Sequence, residues 1–173
     1  MILTGKKINK LVKKGKIIVE PFDERNITTN SYDITLGEKI IIYTEEVLDP
    51  KKDNPYKEII ITDKGYKMEK GDFILGSSKE KIGSNFFVPI IHAKSGIARQ
   101  GLFVHCSTGL VDIGSIGNVT FQFYSTLPII LYPGMKIAQV SFWKTDGKID
   151  LYNGKYRNID GPIPSKSFED FKV

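Results

Sequence analysis

Two side chains of this 173-residue chain, Asp112 and Gln122, suggest chemistry by their type and spacing. They lie ten positions apart in VDIGSIGNVTFQF, residues 111–123. A carboxylate with restricted solvent can orient and deprotonate a water. The commoner use of an aspartate near glycine is a hydrogen bond to its own turn. Gly109, Gly114 and Gly117 permit tight turns and a close approach of backbone to a flat ligand. Strand alternation puts Val119, Phe121 and Phe123 on one face and Asn118, Thr120, Gln122 and Tyr124 on the other. Gln122 therefore points to solvent or into a polar pocket, and if buried it needs partners for both its carbonyl and its amide.

A second candidate is KSGIARQG, residues 94–101, long enough for one or two helical turns. A helix start presents free N–H groups that attract anions. Ser95 adds a hydroxyl there, Gly96 allows close approach, and Arg99 brings a forked guanidinium one turn later. Serine before a short helix is more often an ordinary cap. Cys106 as a nucleophile has only His92 and His105 for a base, and it reads better as a small packing residue in a strand. Neither a serine-hydrolase elbow, a phosphate-binding P-loop nor a dinucleotide fingerprint occurs.

The elements that must position these residues are mostly strands. KIIIYT, EIIITD, DFILGSS, VPIIHAK, LFVHCS, NVTFQFYS, LPIILYP and KIAQVSFW are short, β-branched and aromatic, and are separated by Gly, Pro, Asn and Asp. One amphipathic helix precedes them: Thr4 as cap, Ile8, Leu11 and Val12 on one face, and Gly15 as stop. An all-β barrel or jelly roll is expected, since parallel sheets would need crossover helices. After residue 145 the β pattern fades, and the tail reads as an extended arm that packs on something else or folds over a ligand.

The length suits one domain. No window holds the roughly 20 apolar residues of a membrane span, and the N-terminus lacks a secretory apolar region, so a cytoplasmic protein without a membrane partner is expected. One cysteine excludes an internal disulfide, and with two histidines it makes a structural zinc site a poor fit. The net charge of +5 suits nucleic acid or a triphosphate, but no aromatic-studded basic strand or recognition helix supports nucleic acid.

Taken in order, the segments resemble the dCTP deaminase/dUTPase superfamily over nearly the whole chain. The opening through PFD and SYDITLG looks deaminase-like, and AKSGIARQGL is similar to the phosphate-binding R-S-[SG]-x-A-R-x-G-L. GLVDIGSIGNVTFQFY resembles the base pocket with its catalytic acids, LYPGMKIAQVSF the motif that follows, and YNGKYRNIDGPIPSKS a deaminase-type C-terminal arm.

The resemblance implies a jelly-roll-like, β-clip barrel with a short N-terminal helix and one short internal helix. Residues 1–145 would form the dUTPase-like β domain and 146–173 an arm of the same domain closing over the nucleotide. It further implies a homotrimer with active sites near subunit contacts, and Mg²⁺ carried by the triphosphate rather than by protein ligands. Ser95, Arg99 and Gln139 map to triphosphate contacts, and Tyr152, Lys155, Ser165 and Lys166 to arm residues that close over the phosphates. Ser107, Thr108 and Gly109 would line the pyrimidine and deoxyribose, joined by Asp112 and Gln122. Asp112 matches the aspartate that activates water for attack on the α-phosphate.

At Gln122 the deaminases carry a glutamate that moves protons, and an amide cannot accept one. KSG and KIAQV lean towards dUTPases, while the tail is deaminase-like and Ser115 and Ile116 stand where dUTPases place a tyrosine. The expectation is therefore a chain most like an archaeal-type dUTPase, hydrolysing dUTP to dUMP and pyrophosphate. Alternatives are a dCTP deaminase or bifunctional dCTP deaminase/dUTPase, and a non-catalytic nucleotide-binding relative. If Gln122 reads uracil, its NH₂ would donate to O4 and its carbonyl would accept from N3–H.

Overall fold

The computed structural model describes residues 1–106 and 109–172. Helix α1 (Gly5–Val12) buries Ile8 and Leu11, three positions apart on one face, and the chain turns away at Gly15, whose φ of 66° suits glycine. Thr4 occupies the cap position without making a side-chain capping bond.

Ten strands follow among the described residues: β1 (Ile18–Glu20), β2 (Tyr32–Tyr43), β3 (Tyr56–Ile60), β4 (Tyr66–Met68), β5 (Phe73–Gly83), β6 (Val88–Ala93), β7 (Leu102–Phe103), β8 (Ile116–Ser125), β9 (Ile129–Leu131) and β10 (Lys136–Trp143). The four-residue helix α2 (Ser95–Ala98) sits between β6 and β7. The main sheet runs β6-β10-β2-β5-β8-β7, with β1 added to β5 and β3 to β2, while β4 and β9 form a separate ribbon. The pairings are antiparallel, as expected where short turns join successive strands.

The sheet curls until it nearly closes. Register shifts between Leu36 and Ile40 in β2 and between Ser77 and Lys81 in β5 bend the two longest strands. Beyond β7, Val104 O accepts the Gln122 N–H at 3.1 Å, so this segment still follows β8. It then crosses to the opposite edge, where Ile91 N–H donates to Gly109 O at 2.7 Å and Val111 N–H to Pro89 O at 3.0 Å. One stretch of chain thus ties the β8 side to β6.

The enclosed core contains Tyr32, Ile34, Leu36, Phe121, Phe123 and Phe142, each at most 1% exposed. Burying a side chain of this size contributes about 1.5–3 kcal/mol. Gly76 makes room for the core, because a Cβ there would lie 2.5 Å from the Phe123 ring. The all-β barrel with two short helices is therefore present. No helix among the described residues is long and apolar enough to cross a membrane.

Residues 146–172 form an arm without a strand that packs on its own barrel. Tyr152 N–H donates to Ile113 O (2.8 Å), Asn118 N–H to Ile159 O (3.0 Å), and Ile163 N–H to Thr120 Oγ1 (3.3 Å). Ser165 N–H reaches Tyr43 Oη at 2.8 Å before a 3₁₀ turn, Ser167–Phe171.

Candidate functional site

Strands β5 and β8 and the inner side of the arm line a cavity of about 610 Å³, within the range of ligand pockets. Its lining includes His105, Gly109, Asp112, Gln122, Tyr152 and Ser165. These come from four stretches: the crossing after β7, the glycine turn before β8, β8 itself and the arm. Gly114 and Gly117 permit the close seat, since a Cβ on Gly117 would lie 2.7 Å from the backbone N and O of Ile159.

Gln122 projects from β8 into this cavity and its two ends differ. Nε2 donates to Thr120 O at 3.0 Å, while the buried Oε1 has no partner among the described residues. A carbonyl can only accept, so the atom beside Thr120 O must be the amide nitrogen. The bond to Thr120 commits one of the two amide protons, which leaves the other for the expected uracil contact at O4. Gln122 thus keeps one N–H and the Oε1 acceptor uncommitted among the described residues.

Asp112 lies at the cavity mouth and also lines a neighbouring cleft with Ile113 and Thr145. Its backbone carbonyl accepts Ser115 N–H at 3.1 Å, which makes the turn, but its side chain is exposed and not walled off from solvent. Ser107 and Thr108, expected against the base and sugar, lie outside the described residues. Cys106 is exposed, not packed as the strand reading had it, with Sγ 3.5 Å from Gln122 O.

The expected phosphate contacts do not gather in this cavity. Ser95 and Arg99 are exposed on α2 and its C-terminal end, and neither lines the cavity. Gln139, on β10, donates through Nε2 to Asp33 Oδ1 at 2.8 Å, committing one of its amide protons. Asp33 also binds Lys94 Nζ at 2.8 Å and Lys136 Nζ at 3.2 Å. Burial opposes ionisation of Asp33, but the hydrogen bonds from Lys94, Gln139 and Lys136 outweigh it and hold its carboxyl below the usual range. This cluster gave no signal at the level of motifs; the acid of SYDITLG was its trace.

On the arm, Tyr152 and Ser165 face the cavity, whereas Lys155 and Lys166 do not line it. Lys155 Nζ binds Asp170 Oδ2 at 2.5 Å, and this hydrogen bond raises its pKa. Lys166 Nζ donates to Lys155 O at 3.0 Å.

A β-barrel with a nucleotide-sized cavity under a C-terminal arm defines a class, and the comparisons with known proteins narrow it. The family model described as dCTP deaminase-like matches residues 2–145. A Clostridium botulinum protein named dCTP deaminase, dUMP-forming, is 39% identical over 173 residues, covering 99% of each chain. A protein of the same name from Leptospira biflexa is 37% identical, again over 99% of each chain. Among solved structures, a 2'-deoxycytidine 5'-triphosphate deaminase from Agrobacterium tumefaciens superimposes with a TM-score of 0.65 at 18% identity. That match covers 82% of this chain and 47% of the other, so the present chain spans about half its length and the likeness speaks to the fold. The chain belongs to the dCTP deaminase-like family.

These relatives overturn the expectation of a dUTP-only hydrolase. Proteins similar along the whole chain are named for dCTP deamination that forms dUMP, and not as archaeal-type dUTPases. The expectation treated position 122 as the sole source of proton transfer. The cavity contains another titratable side chain beside it, His105.

Proposed function

We propose that this protein converts dCTP to dUMP, releasing ammonia and pyrophosphate, with the two reactions sharing the cavity beneath the arm. The observation that carries this reading is similarity along the full chain: relatives 36–39% identical over 99% of it bear the name dCTP deaminase, dUMP-forming. The cavity supports it, because its volume suits a nucleoside and its lining includes the polar side chains of His105, Asp112 and Gln122.

The pyrimidine enters towards Gln122 and Gly109, with Ser107 and Thr108 assigned to the base and sugar. Asp112, at the mouth, orients water for attack on the α-phosphate. The triphosphate is held by Ser95, Arg99 and Gln139. The exposure of Ser95 and Arg99 outside the cavity supports a homotrimer in which a neighbouring copy supplies them. Tyr152, Lys155, Ser165 and Lys166 close the arm over the phosphates. Mg²⁺ would arrive on the triphosphate and supply neutralisation of phosphate charge. Asp112 fits beside such an ion because its carboxylate makes no ion pair among the described residues, whereas Asp33 is occupied by two lysines.

Asp112→Asn separates the two halves. With dCTP and Mg²⁺, the variant is expected to accumulate dUTP where the wild type yields dUMP, with hydrolysis reduced about 10²–10⁴-fold. Wild-type protein that leaves dCTP unchanged would contradict the reading, and a variant that still yields dUMP would remove Asp112 from its role.

A further inference from the structure

We infer that His105 is the proton-transferring residue of the deamination, with Gln122 Oε1 as the acceptor that holds the water or the departing amino group. The inference rests on the proposed deaminase reading and assigns its chemistry to this chain's own side chains.

Three observations converge. First, His105 and Gln122 line the same cavity, and each carries a buried polar atom, Nε2 and Oε1, with no partner among the described residues. A buried polar atom left unmatched is costly, so two on one cavity wall mark a place for a polar ligand. Second, the backbone sets them opposite each other. Val104 O accepts Gln122 N–H at 3.1 Å, and Cys106 Sγ lies 3.5 Å from Gln122 O. His105 is the residue between those two contacts. Third, the bond from Gln122 Nε2 to Thr120 O identifies the unpartnered atom as the carbonyl oxygen, which accepts but cannot carry a proton.

Attack of water on C4 of cytosine needs a group that takes a proton and returns it. Of the other titratable groups on the cavity wall, Tyr43, Tyr152 and Tyr156 are phenols, weak bases at neutral pH. Asp112 stands at the exposed mouth, in the turn shared with the next cleft. Imidazole both accepts and donates near neutrality. His92 neighbours it on β6, where Nε2 shares a 2.8 Å hydrogen bond with Ser141 Oγ. Lost hydration and then the nearby His105 both push His92 towards its neutral form.

The step balances without a further reactant. As the water oxygen bonds to C4, His105 Nε2 takes one water proton and passes it to N3, which has received the C4–N3 π pair. It then takes the remaining hydroxyl proton and delivers it to the exocyclic nitrogen. The C4–N bond breaks, ammonia leaves and C4=O4 forms, giving dUTP with His105 in its starting state. Gln122 Oε1 accepts from the water and afterwards from the amino group, and never needs to ionise.

The test compares ammonia release from dCTP with pyrophosphate release from dUTP in the wild type, His105→Asn and His105→Ala. The ratio of deamination to hydrolysis should fall about 10²-fold or more in both variants. Circular dichroism and thermal unfolding report that each variant is folded, and pyrophosphate release from dUTP supplies the reference rate. Added imidazole should restore part of the ammonia release by His105→Ala, a recovery that a packing role would not produce. An unchanged ratio with normal ammonia release overturns this inference and leaves the deaminase reading standing. Wild-type protein that releases no ammonia from dCTP overturns the reading and the inference together.

Discussion

Gln122 and Asp33 carry opposite lessons about residue type. At Gln122 the missing carboxyl was visible in the chain, but its consequence depends on what surrounds it. The amide nitrogen is held by Thr120 O and the neighbouring cavity wall contributes His105, and neither fact follows from strand alternation. Asp33 gave no local signal, because its partners Lys94, Lys136 and Gln139 lie 61 to 106 positions away. Its pKa lies below the unfolded value, so its contribution to stability is full above the ordinary carboxylate range. That contribution is lost as pH falls through the folded-state pKa. Asp33→Asn should therefore lower unfolding free energy by about 1.5–3 kcal/mol at pH 7, the scale of hydrogen bonds to charged groups. Urea unfolding at pH 7 and in acid checks this, and the gap between variant and wild type should narrow in acid. Glu80 runs the other way. Burial raises its pKa despite bonds from Thr35 N–H at 2.9 Å and Thr35 Oγ1 at 2.8 Å, so it favours folding less as pH climbs above the usual carboxylate value.

At the scale of elements, longer β-branched runs were easier to read than short ones. The run DFILGSS became part of β5 and NVTFQFYS part of β8, since eight or more residues in a half-buried strand leave a clear pattern. The three-residue strands β1 and β4 leave too little periodicity to detect. LFVHCS reads as one strand, yet only Leu102–Phe103 is regular, because the chain then crosses from β8 towards β6 and leaves the ladder. The arm had the least pattern of all, as its order comes from hydrogen bonds to the barrel and not from its own repeat. Gly117→Ala tests that seat. The new Cβ would meet Ile159 backbone at 2.7 Å, a clash whose relief costs about 1–3 kcal/mol of docking. Faster protease cleavage within residues 146–172 and a raised KM for dCTP are expected, with the barrel's Tm little changed. An unaltered cleavage rate would place the arm's anchorage elsewhere.

Over the whole molecule, the barrel was legible because antiparallel strands with short turns leave few alternatives. Assembly of the cavity was not legible, since it requires the crossing segment, the glycine turn, β8 and the arm to meet. Separation of Ser95 and Arg99 from that cavity is likewise invisible along the chain, where they precede Asp112 by fewer than twenty positions. In the proposed function, this assembled site takes an amino group from cytosine and then cleaves the triphosphate. The most direct measurement supplies wild-type protein with dCTP and Mg²⁺ and follows ammonia and pyrophosphate together. One ammonia and one pyrophosphate are expected for each dUMP formed. Pyrophosphate from dUTP with no ammonia from dCTP would contradict it.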